Sequence, residues 1–128
     1  DKNDPKRIAK KSDDKITDKK RPLLGDLNLA SHVTYGKFDD DLVNDDADLY
    51  IEAVKEDIEI KHAVWQQDLQ HAKEDALFTA NTSGIPINAV GQTFDEKDPE
   101  RFFGLHCFNP PRIMKLKELM PTSDSKDS

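Results

Sequence analysis

Residues 47–72, "ADLYIEAVKEDIEIKHAVWQQDLQHA", carry the pattern on which the fold turns. The first eight, 47–54, are a short and nearly continuous apolar run, as expected of a strand buried on both faces of a parallel sheet. Asp57 is placed to cap a following helix, and Glu59 falls in its first turn, where the helix dipole favours an anion. The helix is expected to run to about Ala72. Ile60, Ala63 and Val64 form one apolar arc on it, and Trp65, Leu69 and Ala72 form a second. A helix that covers a sheet beside a neighbouring element has this pattern.

Toward the C-terminus the alternation of elements continues. "ALFTAN" (76–81) is a second strand, ended by "TSG", and "GIPINAV" (84–90) opens a short helix. The acidic "DEKDPE" (95–100) is a loop. "RFFGLHCF" (101–108) is a third strand, stopped by Asn-Pro-Pro, and "IMKLKELM" (113–120) alternates like a half-exposed fourth. Strand, helix, strand, short helix, strand is α/β order and implies a mostly parallel sheet.

Toward the N-terminus the pattern weakens. "DDDLVNDD" (39–46) is a polar helical turn or loop, and "LASHVTYGKF" (29–38) holds a short strand candidate at His32 to Tyr35. Residues 1–22 are mostly charged and cannot alone bury enough surface to offset their ordering entropy. The chain thus divides into a charged helix remnant and linker (1–30), an ordered α/β part (31–122) and a solvated tail (123–128).

Composition bounds the function. The chain has 128 residues, enough for one small domain. Its net charge of −7 argues against non-specific nucleic-acid binding, which needs a clustered basic surface. No apolar run approaches the roughly 20 residues of a membrane span. The single cysteine, Cys107, cannot form an internal disulfide, which favours a reducing compartment. His32, His62 and His71 lack ligand spacing with another His or Cys, so no metal site is expected.

In a parallel sheet the carboxyl ends of the strands share one edge, where open α/β sheets place their chemistry. Here those ends carry Lys55, Glu56 and Lys61, then Asn81, Thr82 and Ser83, then His106 and Asn109. Each has a plainer reading. His106 could be a hydrogen-bonded structural histidine, Asn-Thr-Ser-Gly a plain turn, and Glu56 and Lys61 surface charges on a helix. Glu118, on an alternating strand, would ordinarily face water, and Cys107 would be a small core residue.

Taken together, "ADLYIEAVKEDIEIK", "ANTSGIPI" and "FFGLHCFNPPRIMKLKELMPT" resemble the NAD-binding domain of the 3-hydroxyacyl-CoA dehydrogenases. The likeness covers about residues 42–123 and is greatest to the branch fused to an enoyl-CoA hydratase module. It implies that His106 is the catalytic base, that Glu118 is the carboxylate pairing with it, and that Ser83 contacts the substrate hydroxyl. It implies a nicotinamide–ribose lining of Ala53, Glu56 and Lys61, with Asn81 and Ser83 in the same cofactor motif. Lys11, in "RIAKK", would touch the phosphates of coenzyme A. Cys107 departs from the aromatic residue usual after the histidine.

The resemblance also implies NAD as cofactor, a 3-hydroxyacyl-CoA substrate of fatty-acid β-oxidation, and a homo-oligomer formed through a helical domain beyond this segment. A cytoplasmic location is expected, with mitochondrial matrix or peroxisome as the eukaryotic alternative. The five glycines, at 25, 36, 84, 91 and 104, make no G-x-G-x-x-G. The expectation is therefore an internal segment: a partial Rossmann-type parallel sheet lacking its first two strands and the Gly-rich loop. The alternative is a non-catalytic fold remnant serving in binding or assembly. One geometric requirement stands out. A tight hairpin centred on Pro110 would put His106 opposite Met114, so a His106–Glu118 pair needs a longer connection.

Overall fold

The computed structural model describes residues 15–16, 18, 26–36, 46–94, 99–111 and 113–123. Most of the charged segment expected at 1–22, the polar turn at 39–45, residues 95–98 of the acidic loop and the tail from 124 lie outside these residues. The chain divides into two compact units, Asp1–Asn44 and Asp45–Ser128.

In the first unit the strand expected at His32 to Tyr35 is absent. A 3₁₀ helix spans Leu27–His32 instead, capped by Asp26, whose side chain accepts from the Asn28 N–H. Extended backbone begins at Val33 but belongs to no strand among the described residues. The Asp26 cap favours the 3₁₀ turns that take in His32, and Val33 to Tyr35 find no strand to pair with among the described residues.

The second unit is a four-stranded open sheet in the order β1-β2-β3-β4, with β1 Leu49–Glu52, β2 Leu77–Ala80, β3 Phe102–Cys107 and β4 Lys117–Pro121. The first three strands are parallel and β4 is antiparallel to β3. Helix α1, Ile58–His71, links β1 to β2, and the short α2, Ile87–Gly91, lies between β2 and β3. This is a partial Rossmann-type sheet; among the described residues it has neither further strands nor a Gly-rich turn. The cap behaves as expected. The Asp57 carboxylate accepts from the Glu59 and Ile60 N–H groups, and α1 ends at Ala72, whose N–H bonds to Asp68 O.

Two details differ from expectation. First, β1 is not buried on both faces. Tyr50 and Glu52 point inward, whereas Leu49 and Ile51 are 43% and 55% exposed. The helices pack on the inward side, and no helix among the described residues covers the other. Second, of the two arcs read on α1, that of Trp65, Leu69 and Ala72 packs on the core, whereas Ile60 and Ala63 are exposed and Val64 is half-buried; Lys61 and Asp68 are buried beside Trp65.

The core is aromatic. Trp65 meets Phe78, Phe94 and Phe102 edge-on at centroid distances of 5.7, 5.6 and 6.0 Å. Phe94 stacks on Phe102 and Tyr50 on Phe78. Such pairs add roughly 0.5–1.5 kcal/mol each beyond their area burial. Arg101 closes one end: Nε donates to Ala76 O and Nη2 to Lys73 O, both at 2.8 Å, with the guanidinium 5.1 Å from the Phe78 ring centre. Gly104 allows close layering over β3, because a Cβ there would lie 2.8 Å from Met120 Cε and 3.1 Å from Ile87 Cδ1.

The fourth strand begins at Lys117, four residues later than its alternation suggests. The backbone N–H groups of Ile113 and Met114 both donate to Pro110 O, and Lys117 Nζ donates to Met114 O. This turn consumes the residues that a tight hairpin would have paired. The resulting register puts His106 directly opposite Glu118.

Candidate active site

His106 stands at the end of β3 and is held at both ring nitrogens. Nδ1 lies 2.8 Å from Glu118 Oε2 and Nε2 lies 3.0 Å from Ser83 Oγ. A carboxylate can only accept, so Nδ1 carries the proton, and Nε2 offers its lone pair to the Ser83 hydroxyl. The Phe108 ring lies beside the imidazole, with centroids 4.8 Å apart. Opposition across the β3–β4 ladder brings the pair together, since facing residues of antiparallel strands have adjacent side chains.

Ser83 sits in the loop after β2, and Glu56 organises that loop. A single oxygen, Glu56 Oε1, accepts from Thr82 Oγ1 at 2.5 Å and from the backbone N–H groups of Gly84, Ser83 and Ile85 at 2.9, 3.2 and 3.3 Å. The Thr82 hydroxyl and the Gly84 N–H lead the causes that hold the Glu56 carboxyl far below its usual range, at about 2. Its other oxygen, Oε2, faces Lys61 Nζ at 3.3 Å. The Lys61 side chain is 0% exposed and also donates to both oxygens of Glu52 at 2.9 Å. Glu52 in turn accepts from the Val54 N–H at 2.6 Å.

The remaining expected residues fall around this frame. Asn81 Oδ1 accepts from the Cys107 N–H at 3.1 Å, and the Asn81 N–H donates to Glu52 O, so the ends of β1, β2 and β3 are laced together. Ala53 is exposed just past β1, and Cys107 is half-buried in β3. Lys61 stands behind Glu56 and meets the rim through that carboxylate. Lys11 lies outside the described residues. Two residues enter that sequence reasoning did not single out as site members: Glu52 and Thr82. The signal for Glu52 was a charge on the inward phase of a strand. Thr82 lay inside a motif already in view but was assigned no role there.

Serine, histidine and carboxylate in this order also make the acyl-transfer triad, which requires backbone donors aimed at an oxyanion. Here the amides of Ser83, Gly84 and Ile85 already donate to Glu56, and an oxyanion would meet that negative charge. The arrangement suits moving a proton at a hydroxyl beside Ser83 and His106. The rim also fits the nicotinamide end of a dinucleotide. Past the carboxyl ends of β1 and β2, Ala53, Glu56, Ser83 and Gly84 are all exposed, and a Cβ added at Gly84 would meet only Glu56 Oε1, at 3.6 Å.

A Rossmann-type sheet whose carboxyl edge holds a carboxylate-backed histidine and a serine has the active-site architecture of an NAD-dependent dehydrogenase. The chain belongs to the 3-hydroxyacyl-CoA dehydrogenase family: the model of that family's NAD binding domain matches residues 2–128. NAD is therefore the cofactor of this domain.

A putative fatty acid oxidation complex trifunctional enzyme of Rickettsia felis is 35% identical over 121 residues, 94% of this chain and 17% of that protein. Among solved structures, 3-hydroxybutyryl-CoA dehydrogenase from Escherichia coli is 45% identical over 57% of this chain and 15% of its own, with a TM-score of 0.53. (S)-3-hydroxybutyryl-CoA dehydrogenase from Ralstonia eutropha is 26% identical with a TM-score of 0.65, over 94% of this chain and 42% of its own. The chain thus spans less than half the length of these relatives. Among the described residues no helix is long and apolar enough to cross a membrane.

Proposed function

We propose that the protein carrying this chain oxidises a 3-hydroxyacyl-CoA to the 3-oxoacyl-CoA, with His106 as the base. The observation that carries this reading is the placement of His106 between Ser83 Oγ and Glu118 Oε2, at 3.0 and 2.8 Å. Ser83 orients the substrate hydroxyl. The lone pair of Nε2 takes the hydroxyl proton, and the imidazolium that forms is stabilised by Glu118 on Nδ1. NAD, when bound, supplies the acceptor for the hydride that leaves the same carbon. Ala53, Glu56 and Asn81 line the nicotinamide–ribose end, and Lys61 supports Glu56 from behind. Lys11 is assigned to the coenzyme A phosphates.

The test is His106→Gln in the complete enzyme, followed by NADH formation and by NAD binding. Loss of general-base catalysis typically lowers turnover by about 10² to 10⁴. NAD affinity should change little, because the imidazole acts on the hydroxyl. Turnover like that of the wild type would refute the assignment.

A further inference from the structure

Glu52 lies on the inward face of β1 with its side chain fully buried, so it can reach neither substrate nor cofactor. We infer that Glu52 is a positioning residue: by holding the Lys61 ammonium it fixes Glu56, and through Glu56 it fixes the loop that presents Ser83 to His106. For the reaction, this rests on the dehydrogenase reading above; for the loop, it rests on geometry alone.

An ammonium has three protons to donate. Lys61 Nζ lies within 3.3 Å of three oxygens of the described residues, both of Glu52 and Oε2 of Glu56. Glu52 thus neutralises the buried cation one for one, leaving Glu56 a single, longer contact with it. That division leaves Glu56 Oε1 available to the Thr82 hydroxyl and to the three consecutive amides of Ser83, Gly84 and Ile85. Without the Glu52 charge, Lys61 would be a buried cation whose nearest carboxylate among the described residues is Glu56. Glu56 would be drawn toward it and away from the loop. Ser83 Oγ, which contacts His106 Nε2, would lose its fixed position.

Glu52 is itself held in place. Its Oε1 accepts from the Val54 N–H at 2.6 Å, and it ends a strand paired in register with β2, Glu52 opposite Ala80. The anchor is therefore built into the sheet, and the part it controls lies in an exposed loop. A misplacement of about 1 Å in a positioned group can lower a rate by about 10²-fold.

The test uses the complete enzyme carrying Glu52→Gln, which keeps shape and removes charge. Two quantities are read: kcat against KM, and site-resolved hydrogen exchange. The expected result is a fall in kcat of roughly 10- to 10²-fold, with the KM for NAD raised as well because the displaced Glu56 lines the nicotinamide–ribose end. Exchange should quicken at the amides of Ser83, Gly84 and Ile85, with protection in β2 and β3 retained. Unchanged exchange at those three amides would overturn the inference, as would equal acceleration throughout the sheet, which marks a merely structural role.

If Glu52→Gln does not fold, Glu52→Asp decides, since it keeps the charge but draws the carboxylate back from the Lys61 ammonium by one methylene. Local loosening at residues 83–85 supports the inference, and wild-type protection there or failure to fold overturns it. Exchange is independent of turnover, so a failure of this inference can be told from a failure of the His106 assignment.

Discussion

The aromatic core and the charged rim are both built around the same three parallel strands and the segments that flank them, yet they are held by different physics. Trp65, Phe78, Phe94 and Phe102 are buried and held by shape and area. At the carboxyl ends of the strands, Glu52, Lys61, Glu56, Ser83, His106 and Glu118 form an almost continuous chain of hydrogen bonds and ion pairs. Hydrophobic burial is roughly proportional to area and non-directional, whereas proton transfer depends on the placement of named atoms. Changes in the core should therefore cost stability without altering the chemistry. Changes at Ser83, His106 and Glu118 should do the reverse.

The largest expected effect tests the first half of that contrast. Trp65→Ala removes the ring that touches three phenylalanines, and truncating a buried Trp costs about 3–5 kcal/mol. Urea denaturation of the complete protein should show that loss, while kcat measured well below the midpoint should not fall in proportion. A collapse of kcat in protein that is still folded would mean that core and rim are not separable.

Glu118→Gln tests the second half. The amide keeps the shape of the carboxylate but loses the charge behind the imidazole. In the related serine triad, the equivalent change costs about 10⁴ in kcat, mainly through the wrong tautomer. Glu118 is half exposed, which lets water replace part of its effect, so a fall of about 10²-fold, some 2.7 kcal/mol of barrier, is expected. Denaturation midpoints should hardly move. A variant that loses stability but keeps its rate would place Glu118 among the structural residues.

The same contrast explains what could be read in the chain before its structure. Local signals sufficed for the Asp57 cap, the end of α1 at Ala72 and the strands β2 and β3, because caps and short apolar runs act within a few residues. Three features needed non-local information. The Glu52–Lys61 pair spans a strand–helix junction, and pattern reasoning assigns charges to the surface. The exposed outer face, with Leu49, Ile51, Leu77 and Leu119, shows that an apolar run cannot reveal which faces are covered. The opposition of His106 and Glu118 depends on a turn in which two amides share Pro110 O; the residues alone suggested a shorter hairpin, and only the family likeness pointed to the pair. His32 to Tyr35 shows the opposite error, an extended pattern with no strand to pair with among the described residues.

The smallest expected effect concerns Glu56, where rim chemistry adds to stability. Its carboxyl titrates at about 2 when folded, against an ordinary 4.5, because the Thr82 hydroxyl and the Gly84 amide hydrogen-bond to the ionised form. The folded state thus binds the proton less well than the unfolded state does. The stabilisation is fully present above about pH 4.5 and is lost as the pH falls toward 2. The side chain is 43% exposed, so solvent screening reduces the contribution to the order of 1 kcal/mol. Glu56→Gln removes the titration but retains an acceptor oxygen for the loop amides. The stability difference between wild type and this variant should be greatest near neutrality and should shrink as the pH is lowered from 4.5 toward 2, followed by urea denaturation of the complete protein at each pH. A difference that stays constant across that range would mean that the ionised carboxylate is not what the loop of residues 82–85 is folded around.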